Sequence, residues 1–122
     1  MANPNGAKGA KFERDIVEYL RANDLVAERL PRTGRDDQGD GYHLRWETGK
    51  HSHYVMWEAK AERRIDLPGY LRERDVERGN FIRARDLLSS QVQSIVIVKR
   101  RMSNVGQCYV VQTVDDYFGI GD

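Results

Sequence analysis

Two neighbouring segments alternate between apolar and polar residues, and this strand pattern constrains the fold more than any other feature of the chain. Residues 42–47 read YHLRWE, residues 54–60 read YVMWEAK, and a polar turn lies between them. Two such strands joined by a short turn predict an antiparallel hairpin. Because 122 residues is the length of one domain, we expect the hairpin to belong to a single sheet.

The rest of the chain predicts further elements on both sides of this hairpin. Helices are predicted over residues 8–22, over the charged stretch after Asp66 with a break or kink at residues 79–80, and over 114–118. Strands are predicted over residues 25–30, 94–101 and 107–112. This order predicts an α/β fold with a central mixed five-stranded sheet flanked by helices. We expect one domain over residues 8–122, after a flexible N-terminus at residues 1–7.

Composition predicts a thin core and a reducing compartment. Hydrophobic residues make up 39% of the chain and charged residues 32%, against typical values of about 45–50% and about 25%. A second copy of the chain would complete the burial. The single cysteine, Cys108, forms no disulfide within the chain. Because no apolar stretch approaches the ~20 residues of a membrane helix and no hydrophobic signal is present, we expect a cytoplasmic protein that does not enter membranes.

Basic residues are concentrated near the N-terminus. The net charge of +1 gives no overall signal for nucleic acid. A local basic zone still attracts phosphate, although such residues also occur on solvated helix faces and loops. The zone comprises Lys8, Lys11, Arg14, Arg21, Arg29, Arg32 and Arg35.

Acidic residues occupy positions where a core is expected. Glu13 falls within the apolar face of the first helix, between Phe12 and Val17 in angle. It is either a buried carboxylate that needs a partner or metal, or a rim residue that reaches solvent or an arginine. Glu58 and Lys60 share one face of their strand, about 6.6 Å apart. They are either site residues or a weak ion pair at a strand end.

A third acid, Asp40, stands at the opening of the hairpin. Seventeen residues separate it from Glu58, and a hairpin returns the ends of such a segment to each other. Mg²⁺ takes one or two carboxylates together with a substrate phosphate, so Asp40 and Glu58 could supply its protein ligands. An ammonium such as that of Lys60 can orient the attacking water. This constellation predicts phosphodiester hydrolysis.

An acid, a spacer and Glu-x-Lys on a strand resemble the PD-(D/E)xK nuclease superfamily. The segment KGAKFERDIVEYL, with Lys8, Gly9, Glu13 and Arg14, is similar to the first helix of the archaeal-type Holliday junction resolvases. AERLPRTGRDDQGDG, WEAK and the final strands are similar to their later segments, over about residues 8–112.

The resemblance implies a restriction-endonuclease-like fold and a homodimer that resolves four-way DNA junctions with Mg²⁺ or Mn²⁺, leaving 5′ phosphates. It implies that Glu13, Asp40 and Glu58 hold metal and that Lys60 is catalytic. In the mechanism that we expect, the carbonyl of Ala59 is an additional metal ligand. The DNA backbone would be held by Lys8, Lys11, Arg29, Arg32, Thr33 and Arg35. The size and charge of the chain suit a phage or archaeal recombination gene.

Two departures from the family pattern keep alternatives open. Gly41 follows Asp40 where the family has an aliphatic residue, so Asp36 or Asp37 is an alternative ligand. The segment 61–90 is longer and more charged than in the family, and residues 63–85 are interpreted as a solvated helical face. Two other functions are consistent with the sequence: a nuclease that acts on flaps, ends or duplex DNA, and an inactive protein that binds branched DNA.

Overall fold

A computed structural model describes residues 4–30, 37–48 and 51–121 of the chain. Within these residues, five strands form one sheet and three α-helices flank it. The elements in chain order are α1 (Pro4–Ala22), β1 (Val26–Arg29), β2 (Gly41–Thr48), β3 (His51–Lys60), α2 (Leu67–Arg85), β4 (Val92–Val98), β5 (Tyr109–Val111) and α3 (Val114–Phe118).

The sheet is mixed, as predicted, and its strands lie in chain order from β1 to β5. Strands β2 and β3 form the predicted antiparallel hairpin, with Gly41 opposite Trp57 and Thr48 opposite His51. Strand β3 therefore begins at His51, inside the segment predicted as a turn. Strands β3 and β4 are parallel, and α2 is the crossover helix that such a connection requires.

The two faces of β3 pack against different helices. Trp57 is buried against Phe12 and Ile16 of α1, on one side of the sheet. Met56 points to the other side and packs against Phe81 of α2. Because side chains alternate along a strand, Glu58 shares the α2 side with Met56.

Helix α2 begins where the sequence predicts and continues where it does not. Asp66 caps it, since its side chain accepts a hydrogen bond from the backbone N–H of Gly69 at 3.1 Å. A break at residues 79–80 is wrong, because the helix runs continuously to Arg85, while the alternative of a kink there stays a prediction. Its buried residues are Tyr70, Arg74, Glu77 and Phe81.

The prediction of a solvated helical face over residues 63–85 is therefore wrong for Arg74 and Glu77, each 3% exposed. Arg74 donates to the carbonyl of Ser94 and pairs with Asp116, which compensates for its burial. At the other end of the chain, α1 begins at Pro4, inside the segment predicted as a flexible N-terminus. The single-domain extent over residues 8–122 stays a prediction.

Candidate functional site

Backbone hydrogen bonds fix Asp40 beside the end of β3. Its N–H donates to the carbonyl of Trp57 at 3.0 Å, and its carbonyl accepts from the N–H of Leu30 at 2.9 Å. Its side-chain Oδ2 accepts from the N–H of Ala59 at 2.9 Å. Asp40 is 1% exposed. The hairpin thus brings this carboxylate to the residue that lies between Glu58 and Lys60.

Glu58 and Lys60 project from the end of β3 towards α2. Glu58 Oε1 lies 3.5 Å from Lys60 Nζ, and their side chains are 2% and 13% exposed. The ammonium also forms an ion pair with Glu73 of α2. The pair is therefore largely buried, and the sequence-based alternative of a weak, solvated ion pair at a strand end does not describe it.

Helix α2 supplies two acids that the sequence analysis did not single out. One oxygen from each of Glu58, Glu73 and Glu77 lies within 4.8 Å of the other two. Glu73 and Glu77 are four residues apart and so lie on one side of the helix. A usable signal was present: Tyr70, Glu77 and Phe81 follow helical spacing, which places Glu77 on the buried stripe.

Burial dominates the electrostatics of Glu58. Desolvation, a side-chain hydrogen bond with Glu77 and the negative charges of Asp40 and Glu77 raise the pKa of Glu58 to about 11, although Lys60 opposes the rise. Glu58 Oε2 and Glu77 Oε2 have no hydrogen-bond donor when both acids are ionised. When no cation is bound, a protonated Glu58 donates a hydrogen bond to the Glu77 carboxylate, and this hydrogen bond pairs the two acids.

The segment before Asp40 also reaches this cluster. Burial raises the pKa of Glu77 to about 7, and the negative charge of Asp37 and a side-chain hydrogen bond with it add to the rise. The hydrogen bond from Glu58 partly offsets this rise. Asn80 of α2 donates to the backbone carbonyl of Asp37 at 2.8 Å. Asp37, the alternative ligand named from the sequence, therefore lies next to Glu77.

Lys60 is held as a cation by its acidic surroundings. Burial alone would lower its pKa, but the hydrogen bond with Glu73 and the charges of Glu58, Glu73 and Glu62 raise it above the ordinary value. An ammonium in this position can orient a water or stabilise negative charge, but it does not act as a base near neutral pH.

Glu13 occupies a different place. It is 9% exposed on α1, the helix that packs against the Trp57 side of β3. Its Oε1 accepts a hydrogen bond from Arg29 at 3.2 Å, which matches the alternative of a glutamate that reaches an arginine. Glu13 is not part of the acidic group formed by Glu58, Glu73 and Glu77, and its role as a metal ligand stays a prediction.

The predicted DNA-binding residues are described only in part. Lys11 is exposed and pairs with Asp15 at 2.8 Å, while the Arg29 side chain is 40% exposed. Lys8 lies in the first half of α1. The remaining candidates, Arg32, Thr33 and Arg35, and the alternative ligand Asp36 lie outside the described residues.

The glycine after Asp40 has a steric explanation. A Cβ on Gly41 would lie 2.0 Å from Cζ2 of Trp57, well inside van der Waals contact. The indole ring thus fills the space that a side chain at position 41 would occupy. Asp40 keeps its hydrogen bonds to Trp57, Leu30 and Ala59 beside this glycine, and the choice of Asp40, Asp36 or Asp37 as a ligand stays a prediction.

Comparison with known families identifies no relative. No protein-family model matches the chain, and no curated protein matches it in sequence. Among the residues described, no helix is both long enough and apolar enough to cross a membrane. Inference about function therefore depends on the geometry of the acids and Lys60.

Proposed function

We propose that this chain is a Mg²⁺-dependent endonuclease that resolves four-way DNA junctions by paired hydrolytic nicks. The proposal includes membership of the PD-(D/E)xK superfamily and its restriction-endonuclease-like fold. One observation carries it: Asp40 is hydrogen-bonded to Ala59, between a buried Glu58 and a charged Lys60. An acid beside Glu-x-Lys at the end of a sheet is the arrangement that the resemblance implies.

The donor set fits a hard divalent cation. Mg²⁺ and Mn²⁺ prefer carboxylate, carbonyl and water oxygens. Asp40 and Glu58 offer carboxylates, and Glu58 Oε2 is a buried oxygen without a hydrogen-bond donor. Asp40, Glu58 and the Ala59 carbonyl would hold the ion. When bound, the ion would neutralise phosphate charge and lower the pKa of a water.

The chain's own residues have separate tasks in this scheme. The hydrogen bond from Ala59 orients the Asp40 carboxylate before substrate arrives. Lys60 stays protonated, so it would orient the nucleophilic water and stabilise charge that builds on the phosphate. Glu13 would contribute through a second ion or a bound water, as the family resemblance implies.

Substrate binding and dimerisation complete the proposal. Lys8, Lys11, Arg29, Arg32, Thr33 and Arg35 would hold the phosphate backbone. A homodimer with twofold symmetry would present two such sites, which suits paired nicks in a symmetric junction. The expected cytoplasmic location would place the enzyme beside its DNA substrate.

The dimer would use the C-terminal part of the chain. Strand β5 is the last in the sheet among the described residues, and large apolar side chains of β5 and of the α3 region are between 49% and 70% exposed: Tyr109, Val110, Val114, Tyr117, Phe118 and Ile120. A whole aromatic side chain has an area of ~150–250 Å², so each of these half-exposed or more exposed side chains presents roughly 100 Å² to solvent. Together the six would bury roughly 600 Å² in a dimer. A standard interface buries ~800 Å² per partner.

The test is cleavage of labelled four-way junctions in Mg²⁺ by wild type and by Glu58→Gln. Symmetric paired nicks from wild type, with at least about a hundredfold loss in the variant, support the proposal. Flap and linear duplex DNA of the same sequence are cut in parallel. Equal rates on all three would indicate a nuclease without junction preference, and tight junction binding without cleavage in Mg²⁺ or Mn²⁺ would indicate an inactive binding protein.

A further inference from the structure

The acidic group formed by Glu58, Glu73 and Glu77 differs from the site that the sequence predicts. Two of its three carboxylates come from α2, and their oxygens lie within 4.8 Å of one another. Asp40 is not a member of this group. Ligand oxygens of a cation bound at ~2.0–2.6 Å lie a few ångströms apart, so small side-chain movements would bring the three together around an ion.

Two buried oxygens in this group have no donor among the other described residues. Lys60 Nζ engages Glu58 Oε1 and Glu73 Oε2. Apart from a proton that the two acids share, Glu58 Oε2 and Glu77 Oε2 have no hydrogen-bond donor, although their residues are only 2% and 3% exposed. A buried carboxylate oxygen without a donor or cation is costly, so a cation bound by these two atoms would be strongly stabilised.

The charge of the group has the same implication. Cation binding requires the three carboxylates to be ionised, and in that state the group and the Lys60 ammonium carry two uncompensated negative charges (three negative, one positive). In the metal-free protein, protons on Glu58 and Glu77 compensate for this charge. Asp40 and Asp37 add to the negative potential at Glu77. One divalent cation would neutralise the group, whereas another ammonium would neutralise only half of it.

We infer that Glu58, Glu73 and Glu77 bind a divalent cation on the α2 side of the sheet, separate from the ion that Asp40 would hold. Glu58 would contribute to both positions, and α2 would be a ligand-bearing helix as well as a crossover. The ion belongs to the hard, oxygen-preferring class of Mg²⁺, Mn²⁺ and Ca²⁺. The site does not require nuclease activity, and only its use during cleavage rests on the proposed function.

The experiment counts bound Mn²⁺ by electron paramagnetic resonance on the full chain without DNA. Glu73→Gln and Glu77→Gln are each compared with wild type and with Glu18→Gln, an exposed glutamate of α1. Each α2 variant should lose one bound ion or bind it at least about tenfold more weakly, whereas Glu18→Gln should match wild type. Asp40→Asn should retain this ion.

Glu73 keeps the test clear of folding effects, because its side chain is 51% exposed. Circular dichroism on every variant verifies the fold. Wild-type stoichiometry and affinity in both α2 variants would overturn the inference, and would mean that Glu58 and Glu77 share a proton instead.

The outcomes for binding and for cleavage are separable. If the α2 variants lose Mn²⁺ and the wild type cuts no DNA, the cation site stands and the proposed function fails. If the wild type cuts junctions and the α2 variants bind Mn²⁺ as it does, the inference fails and the proposed function stands.

Discussion

Asp40 Oδ2 accepts a hydrogen bond from the backbone N–H of Ala59 at 2.9 Å, so a carboxylate from the start of β2 is fixed to the residue between Glu58 and Lys60. This contact lies one residue before the first pair of the hairpin, Gly41 opposite Trp57. A backbone N–H therefore positions the Asp40 carboxylate. Substitutions can separate the structural effect of this hydrogen bond from the effect of the negative charge on cleavage.

The first prediction separates those two contributions. Asp40→Asn keeps an oxygen that can accept from Ala59 but removes the charge, so we expect at least about a hundredfold loss of cleavage with little change in melting temperature. Asp40→Ala removes the acceptor too, and should cost an additional ~1–3 kcal/mol of stability. Junction cleavage and thermal unfolding measure the two effects. Full cleavage activity in Asp40→Asn would remove Asp40 from the site.

The second prediction concerns the stability of the metal-free protein against pH. The folded-state pKa values of Glu77, about 7, and of Glu58, about 11, lie above their ordinary value of 4.5. The folded state thus retains protons that the unfolded chain releases. The stability that these protons give is complete below about pH 4.5 and is lost as pH rises through 7 and then towards 11.

Denaturation in EDTA from pH 5 to 9 measures this loss. Each retained proton contributes a slope of about −1.4 kcal/mol per pH unit. Glu58→Gln imitates the protonated acid, so its free energy of unfolding should fall less steeply with pH, by up to the slope of one retained proton. The variant should therefore become more stable relative to wild type as pH rises. The raised pKa of Lys60 acts at higher pH, above this window. Parallel curves for wild type and Glu58→Gln would contradict the burial of an acidic Glu58.

The third prediction tests the basic zone. Lys11→Ala should weaken junction binding and reduce the slope of log K against log salt by about one, because one phosphate contact is lost. Arg72→Ala, an exposed change on α2, is the matched control and should leave the slope unchanged. Binding is measured by fluorescence anisotropy in Ca²⁺ at several salt concentrations. Lys11 is excluded from the interface if both variants behave like wild type.

The fourth prediction tests the C-terminal dimer surface. Phe118 is 67% exposed, and a charge there would be buried in a dimer interface, so Phe118→Glu should shift the protein from dimer to monomer. Val76→Glu changes an equally exposed side chain, 66%, on α2 and serves as control. Analytical ultracentrifugation gives the masses. A monomeric wild type would refute the dimer, and a dimeric Phe118→Glu would exclude this surface as its interface.

The fifth prediction concerns the contact between Gly41 and Trp57. Gly41→Ala places a Cβ 2.0 Å from the indole ring, so it should destabilise the fold by at least about 1–3 kcal/mol. Trp57→Phe replaces the indole by a smaller single ring that lacks Cζ2 and Cη2, and should recover part of that loss in the double variant. Urea denaturation of both single variants and the double variant gives the coupling free energy. Strictly additive effects would show that the two positions do not clash.

Local patterns were sufficient to predict the hairpin and the meeting of Asp40 with the end of β3. Strand alternation predicts the hairpin, and a hairpin returns Asp40 to the end of β3, where its N–H donates to the carbonyl of Trp57. The shift in register between Leu44 and Trp46 was not predicted. The start of α2 at Leu67 likewise follows from the capping chemistry of Asp66. These features depend on residues that are near each other in sequence.

The role of α2 was not predictable from composition alone. A helix so rich in charge is normally solvated, and Glu77 becomes buried only because β3 and β4 are parallel and the crossover helix must cover that face. Residues 79–80 combine glycine with asparagine, which favours a break, but Asn80 is fixed by its hydrogen bond to Asp37. Tertiary contacts overrode local preference at both places.

The packing of Trp57 over Gly41 also has a consequence for variation between species. A homologue with a branched aliphatic residue at position 41 cannot accommodate an indole at position 57, so we expect the two positions to covary. Genomic sequences that pair a bulky residue at 41 with tryptophan at 57 would then belong to proteins whose hairpin follows a different path.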